Sequence, residues 1–345
     1  MAADDAPMFT AISSSARQLL MLLRCLPSTK KCLVRITADG IRFTTSTDST
    51  TDSFVFLEKA LFSTYNFIPL PPPSSQDHSL SPPTFEINLP SLLETLNIFS
   101  LSDTGPTKRG GGYDDFTLHR LNRHSGLPTP FSTHLTTGIC TLTYAGEGHP
   151  LSIHMTESNV STTSDLTTYQ ADDDNTEEIP FARDALALKT IMRSSYLLEA
   201  ISELSSLGPE TMNITASPSP RLTTRVNAAN LSLSAVGPLG EAQVDFSTHT
   251  SSETPVLETF HCPAKTSASF RFAAVKGAQR AMAAASKVSV RLDEGGVLSL
   301  QFLVEVDGQG GQGVVFVDFR VVPVVEGDDG GGAERERHGE STDSE

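Results

Sequence analysis

Two stretches of the chain carry several basic side chains and no acid. Between Pro7 and Ala38 stand Arg17, Arg24, Lys30, Lys31 and Arg35, and between Thr259 and Leu292 stand Lys265, Arg271, Lys276, Arg280, Lys287 and Arg291. Arg17 and Arg24 are seven apart, two helical turns, and Lys276 and Arg280 are four apart, so each pair shares one helix face. Lys287 continues roughly along the side of Lys276 and Arg280. Such a face can lie across duplex phosphates without reading bases, because phosphate contacts carry no direct sequence information. A third helix opens beside Arg193 but also carries Glu199 and Glu203, and a fourth, around Glu94, has no base. The expected DNA-facing set is therefore Arg17, Arg24, Lys30, Arg193, Lys276, Arg280 and Lys287.

Other chemistry is weakly supported. Gly308-Gln309-Gly310-Gly311-Gln312-Gly313 matches the dinucleotide-binding glycine spacing by letter, but that fingerprint must open a helix, and here VVFVDF follows, a strand. Glu305 and Asp307 lie on one face of a strand and could supply two ligands of a two-metal nuclease, which needs more carboxylates than that. Asp172–Asp174 sit in a joint too flexible to hold a metal geometry. Of the nine histidines only His119 and His124 are close together, and Cys25, Cys32, Cys140 and Cys262 form no CxxC pair and no zinc spacing. The thiols are expected reduced and buried. No catalytic constellation, metal site or cofactor is expected.

The chain has 345 residues, 25 Lys+Arg against 41 Asp+Glu, and a formal net charge of −16. That total argues against nucleic acid until it is sorted by position. Residues 326–345 hold eight acids and two arginines, 171–178 hold five acids and no base, and Asp4 and Asp5 stand in the leader. These three segments account for −13 and leave −3 for everything else. A nearly neutral body with two acid-free windows describes basic stripes on an acidic background. The longest uninterrupted apolar run is Leu19–Leu23, far below the roughly 20 residues of a membrane span, and the N-terminal residues lack the basic and apolar regions of a secretory signal.

Low-complexity segments divide the chain. Pro/Ser-rich residues 70–83 and the long polar, Gly-rich stretch 102–136 are loop insertions; 171–180 is an acidic connector between two halves of similar length, 8–170 and 181–326; 1–7 and 327–345 are a disordered leader and tail. Within the halves one unit recurs, a short strand, an apolar helix and a β-hairpin. Its helices are Ser15–Leu26, Pro90–Phe99, Ser194–Leu207 and Ala274–Ala285, the second with Pro at its first position. Hairpin strands are expected at Cys32–Ile36 and Ile41–Thr45, around Cys140–Tyr144 and Leu151–Met155, at Thr211–Ala216 and Leu222–Val226, and at Val288–Leu292 and Val297–Val306. Each helix has a strand before it, at Phe9–Ser13, Thr84–Leu89, Leu186–Ile191 and Phe270–Phe272, the last also preceded by Phe260–Cys262. Lys31, Val34, Arg35, Ile36, Gly40 and Ile41 recur at the same offsets as Lys287, Val290, Arg291, Leu292, Gly296 and Val297, each set directly after an apolar helix, which supports a duplication. Strands outnumber helices and alternate apolar with polar, so the fold class is α+β, with antiparallel sheets and helices gathered on one face.

Phe260-His261-Cys262, Phe270–Lys276 and Ala284–Gln301 (AASKVSVRLDEGGVLSLQ) resemble the Rad-one subunit family of the nine-one-one DNA-damage checkpoint clamp. FTAISSSARQLLMLLRCL, KKCLVRITADGIRF and FEINLPSLLETLNIF are similar to the same family more loosely, so the resemblance covers most of residues 8–325 outside the insertions. It implies a PCNA-like sliding-clamp subunit: two similar domains, antiparallel sheets outside, four helices on the inner face, and no enzymatic activity. It further implies a heterotrimeric ring with two sister subunits, a dedicated clamp loader, double-stranded DNA bound without sequence preference, checkpoint and repair client proteins, and work in the nucleus. By analogy with such clamps, Val322, Pro323 and Val324, with Thr45 from the hairpin edge, are candidates for an outer pocket that takes client peptides. The competing classes are a metal-dependent 3′→5′ exonuclease, a homotrimeric replication-type processivity clamp, and a protein-only adaptor of the same fold.

Overall fold

Four copies of one β-α-β-β-β unit build the chain. In a computed structural model, residues 7–47, 49–68, 82–98, 138–157, 159–171, 178–218, 230–247, 255–308 and 311–324 are described. The first unit is β1 (Phe9–Ser13), α1 (Ala16–Arg24), β2 (Lys31–Ile36), β3 (Gly40–Thr47) and β4 (Thr51–Glu58). After β5 (Thr64–Phe67), the second is β6 (Thr84–Asn88), α2 (Leu89–Asn97), β7 (Ile139–Tyr144), β8 (Leu151–Glu157) and β9 (Val160–Leu166). After the two-residue β10 (Tyr169–Gln170), the third is β11 (Leu186–Arg193), α3 (Ser194–Ser205), β12 (Thr211–Ala216), β13 (Leu231–Gly237) and β14 (Gly240–Phe246). After β15 (Leu257–His261), the fourth is β16 (Thr266–Arg271), α4 (Phe272–Lys276), α5 (Gln279–Ala284), β17 (Lys287–Asp293), β18 (Leu298–Gly308) and β19 (Gly311–Val321).

Units exchange strands in pairs. In the first half β1 joins β7 and β6 joins β2, and in the second half β11 joins β17 and β16 joins β12, all antiparallel. Three sheets result, in the orders β5-β1-β7-β8-β9, β10-β6-β2-β3-β4-β19-β18-β17-β11-β15 and β14-β13-β12-β16. The ten-stranded sheet passes from one half to the other through β4 and β19, with Val317 opposite Val55, Arg320 opposite Asp52 and Val321 opposite Thr51. The expected alternation is realised: Leu298, Leu300, Phe302 and Val304 of β18 are all buried, and Phe302 meets Phe319 edge-on at 5.7 Å. One hydrophobic core runs through both halves. At the β3 entry Gly40 is required by close approach, since a Cβ there would fall 2.3 Å from the Leu57 carbonyl oxygen.

Local differences from the sequence reading have plain causes. The last helix is two short pieces, because Gly277 ends α4 and Ala278, at φ −83° and ψ 1°, leaves the helical region before α5 starts. Phe272 opens α4 rather than closing a strand. The strand expected at 222–226, the two insertions and the acidic tail lie outside the described residues.

All four cysteines are free and buried. Burial pushes the Cys25 and Cys140 thiols up to about 12 and Cys32 higher still. An unfolded thiol ionises near about 8.5, so the fold favours the protonated form, and the stability this provides is lost as pH rises above that value. The thermal midpoint is expected to fall steadily from about pH 8.5 to pH 11, with a shallower fall in Cys25→Ala/Cys140→Ala. Differential scanning fluorimetry across that range checks it, and a flat profile would contradict the assignment.

Candidate nucleic-acid interface

Leucines set the orientation of the first basic helix. In α1, Leu19, Leu20, Leu22 and Leu23 are buried, which turns Arg17 outward, and the Ser15 side chain caps the helix by accepting from the Gln18 N–H. The four helical segments form one layer. α1 packs on α2, α3 packs on α5, and α1 touches α5 across the two halves. Asn88 caps α2, accepting from the Ser91 N–H at 2.9 Å, and Arg24 Nη2 donates to Asn97 Oδ1 at 3.0 Å, tying α1 to α2.

The two basic windows meet where α1 abuts the α4–α5 break. Gly277 lies against Pro27, and Arg280 is near enough to Cys25 to favour its thiolate, although burial outweighs that effect. Arg17, Lys30, Lys276 and Arg280 are exposed and Arg24 is half-buried. Residues from opposite ends of the sequence thus join in one basic zone on the helix layer.

Lys287 and Arg193 belong elsewhere. In β17, Val288, Val290 and Leu292 are buried against the core, so Lys287, Ser289 and Arg291 point to the opposite face of the sheet. Lys287 is ion-paired there with Glu258, and Arg193 is its cross-strand partner, with the same parity in β11. Lys287 continues the helix in sequence but not in space, because the chain turns into a strand whose parity points it outward.

That outer face carries a charged cluster not foreseen from the sequence. Glu178 sits over the junction of β4 and β19, its Oε1 2.8 Å from Arg42 Nη2, close enough for charge pairing without hydrogen-bond alignment, and its Oε2 accepting from Arg320 Nη1 at 3.2 Å. Arg320 Nη1 also donates to the Ile179 carbonyl at 2.7 Å, while the Ile179 N–H donates to Asp52 Oδ2 at 2.6 Å. Farther along, the Ala182 N–H donates to Asp293 Oδ2 at 3.1 Å. Arg42 stacks over the Phe54 ring at 3.9 Å, and Arg320 approaches the same ring at 5.3 Å. Burial pulls the Arg42 and Arg291 guanidinium pKa values down and pushes the Asp318 carboxyl up, the latter despite Arg291 and Arg320 beside it. The end of the connector is therefore strapped across the seam by groups from both halves. The signal in the sequence was Asp and Arg at alternate positions of adjoining strands, as in Asp318 and Arg320.

The proposed pocket residues separate. Val322, Pro323 and Val324 are half-buried at the chain's exit, with the Val322 N–H on the Thr50 carbonyl and the Val324 N–H on the Ser269 carbonyl. Thr45 is 2% exposed and its hydroxyl lies 2.7 Å from that of Ser53, so it offers no surface to a peptide. The Gly308–Gly313 run joins β18 to β19, a strand-to-strand turn. Among the described residues no three His, Cys, Asp or Glu side chains converge as a metal-binding group, and no helix is long and apolar enough to cross a membrane.

Paired units, a through-running outer sheet and a single layer of helices define a PCNA-like sliding-clamp subunit. The solved structure of Proliferating Cellular Nuclear Antigen from Entamoeba histolytica superposes with a TM-score of 0.62, covering 93% of this chain and all of that one at 14% identity, a likeness of fold. The chain belongs to the Repair protein Rad1/Rec1/Rad17 family, whose model matches residues 8–304. It is 28% identical to the DNA damage checkpoint control protein rad1 of Schizosaccharomyces pombe, covering 92% of this chain and 87% of that protein. It is also 25% identical to the Cell cycle checkpoint protein RAD1 of Homo sapiens, covering 93% of each.

Proposed function

We propose that this chain is a non-enzymatic subunit of a heterotrimeric checkpoint clamp that encircles DNA in the nucleus at sites of damage. The observation that carries the reading is how the four units end. The last strands of the first and fourth units, β4 and β19, pair inside the chain, whereas those of the second and third, β9 and β14, stand at open sheet edges. An edge strand is a template for another chain, and two such edges per subunit, joined in the manner of β4 with β19, close a ring. The helix layer then lines the hole, with Arg17, Arg24, Lys30, Lys276 and Arg280 toward phosphates, while the seam and the Val322–Val324 exit face outward toward loader and clients. Loose phosphate contacts permit sliding, since tight contacts would pin the ring.

Co-expression with sister subunits and native mass measurement is expected to give one copy of each of three chains, held on closed circular DNA and released when the circle is cut. A homotrimer would point instead to a replication-type clamp, and retention on cut DNA would remove the topological mechanism. Labelled DNA with Mg²⁺ is expected to stay intact; hydrolysis that disappears in Glu305→Gln would restore the exonuclease reading.

A further inference from the structure

The two open edges carry acids and no base, and the seam inside the chain shows what is missing from them. On the outer face of that seam Arg320 stands opposite Asp52, an oppositely charged cross-strand pair. On β9 the residues with outer parity are Ser161, Thr163 and Asp165, and on β14 they are Glu241, Gln243 and Asp245, while Leu166 and Phe246 turn inward in matching positions. The carboxylates are held in place, Asp165 accepting from the Ser152 hydroxyl at 2.6 Å, and Asp245 from the Ser232 hydroxyl at 2.7 Å and from Gln243 Nε2 at 2.9 Å. The charge bias extends well behind each edge. Residues 138–171 contain Glu147, Glu157 and Asp165 but no Lys or Arg, and 230–247 contain Glu241 and Asp245 but no Lys or Arg. No strand of the five-stranded sheet carries a Lys or Arg, and in the four-stranded sheet Arg271 stands on β16, at the edge away from β14.

Two copies meeting β9 to β14 must set acid against acid, or acid against hydroxyl or amide. A register slip of two residues changes which acid is opposed and supplies no base, and a slip of one turns the buried face outward. We infer that the acidic edges bar this chain from closing a ring with itself and select neighbours whose facing edge strands carry Lys or Arg. The inference rests on the ring reading above and adds the chemistry of the partner edge. Like charges opposed across a strand pair destabilise it, while opposite charges both stabilise the docked pair and speed the encounter.

Sedimentation velocity on the full chain at low ionic strength tests the rule. The wild type is expected to sediment as a monomer. Glu241→Lys/Asp245→Lys, which keeps both fold and thermal midpoint because the sites are exposed, is expected to shift mass toward dimer and trimer, with self-association at least about tenfold tighter and weakening as salt is added. Adding Ser161→Cys and Gln243→Cys and treating with a short bismaleimide locates the joint, since the native thiols are buried. Coupling of Cys at 161 of one copy to Cys at 243 of another in the lysine variant supports the rule. Wild-type chains that self-associate and cross-link there would keep the edges as the joint and overturn the charge rule, as would a lysine variant that stays monomeric. Self-association without that cross-link would overturn the edge joint itself, and with it the ring reading.

Discussion

Reversing Arg17, Lys276 and Arg280 to glutamate is expected to weaken the assembled ring's hold on duplex DNA by about a hundredfold, at about 1 kcal/mol for each phosphate contact removed. The three residues come from α1, α4 and α5, yet they lie on one layer because α1 packs against α5. Each phosphate contact contributes about 0.9 to the slope of log affinity against log salt, so losing three should flatten that slope by about 3. Binding to linear duplexes of different sequence should fall equally, because no base edge is involved. Lys287→Glu is the matched control. It reverses a charge from the same acid-free window, but on the outer face beside Glu258, and should leave DNA retention unchanged. Fluorescence anisotropy across a salt series measures both quantities. An unchanged slope in the triple variant would separate the helix layer from DNA and favour the protein-only adaptor; equal losses in Lys287→Glu and the triple variant would make the effect one of net charge.

The second large effect is expected at the seam. Arg320→Met removes a side chain 13% exposed that serves Glu178 and the Ile179 carbonyl and neighbours Asp318. Removing one partner from a largely buried charged cluster leaves the others uncompensated, at a cost of about 3–5 kcal/mol. That corresponds to a drop of about 10 °C in the thermal midpoint. Arg320→Lys should recover little, because a single ammonium cannot reproduce the planar fork that reaches both the carboxylate and the carbonyl. Glu178→Gln should cost less than Arg320→Met, since Glu178 is about one-third exposed and screened by solvent. A midpoint for Arg320→Met within about 2 °C of wild type would show that the connector strap contributes little to joining the halves.

Much of this arrangement is legible in the residues, and the parts that are not have a common cause. The helices announce themselves by leucine spacing and caps, as in Ser15 through Leu23, and the hairpin strands around Val34 and Phe302 by strict alternation. Strands β9 and β13 are built from Ser and Thr as much as from apolar residues (VSTTSDL, LSLSAVG), so their periodicity is faint and their order comes from the neighbours they pair with. The break at Gly277 is hidden because alanines on both sides favour a helix, and tertiary contact with Pro27 decides otherwise. The basic zone was recognisable from the missing acids, but its membership depended on strand parity, which sends Lys287 outward. The seam cluster was least legible of all. Its members, Arg42, Asp52, Glu178, Arg291, Asp318 and Arg320, come from five separate segments that only the sheet order brings together.

The through-running sheet also has a mechanical meaning. Ten strands cross from one half of the chain to the other without a gap, and the middle ladder is reinforced on its outer surface by the Glu178 and Ile179 clasp. A chain built so behaves as a stiff curved beam, with little compliance at its midpoint. In a ring of such beams, bending strain accumulates at the joints between them, where no second clasp shares the load. Opening to admit a duplex is then the parting of one joint while each arc swings as a rigid body, and the stiffness of the seam sets how far the far joints must flex.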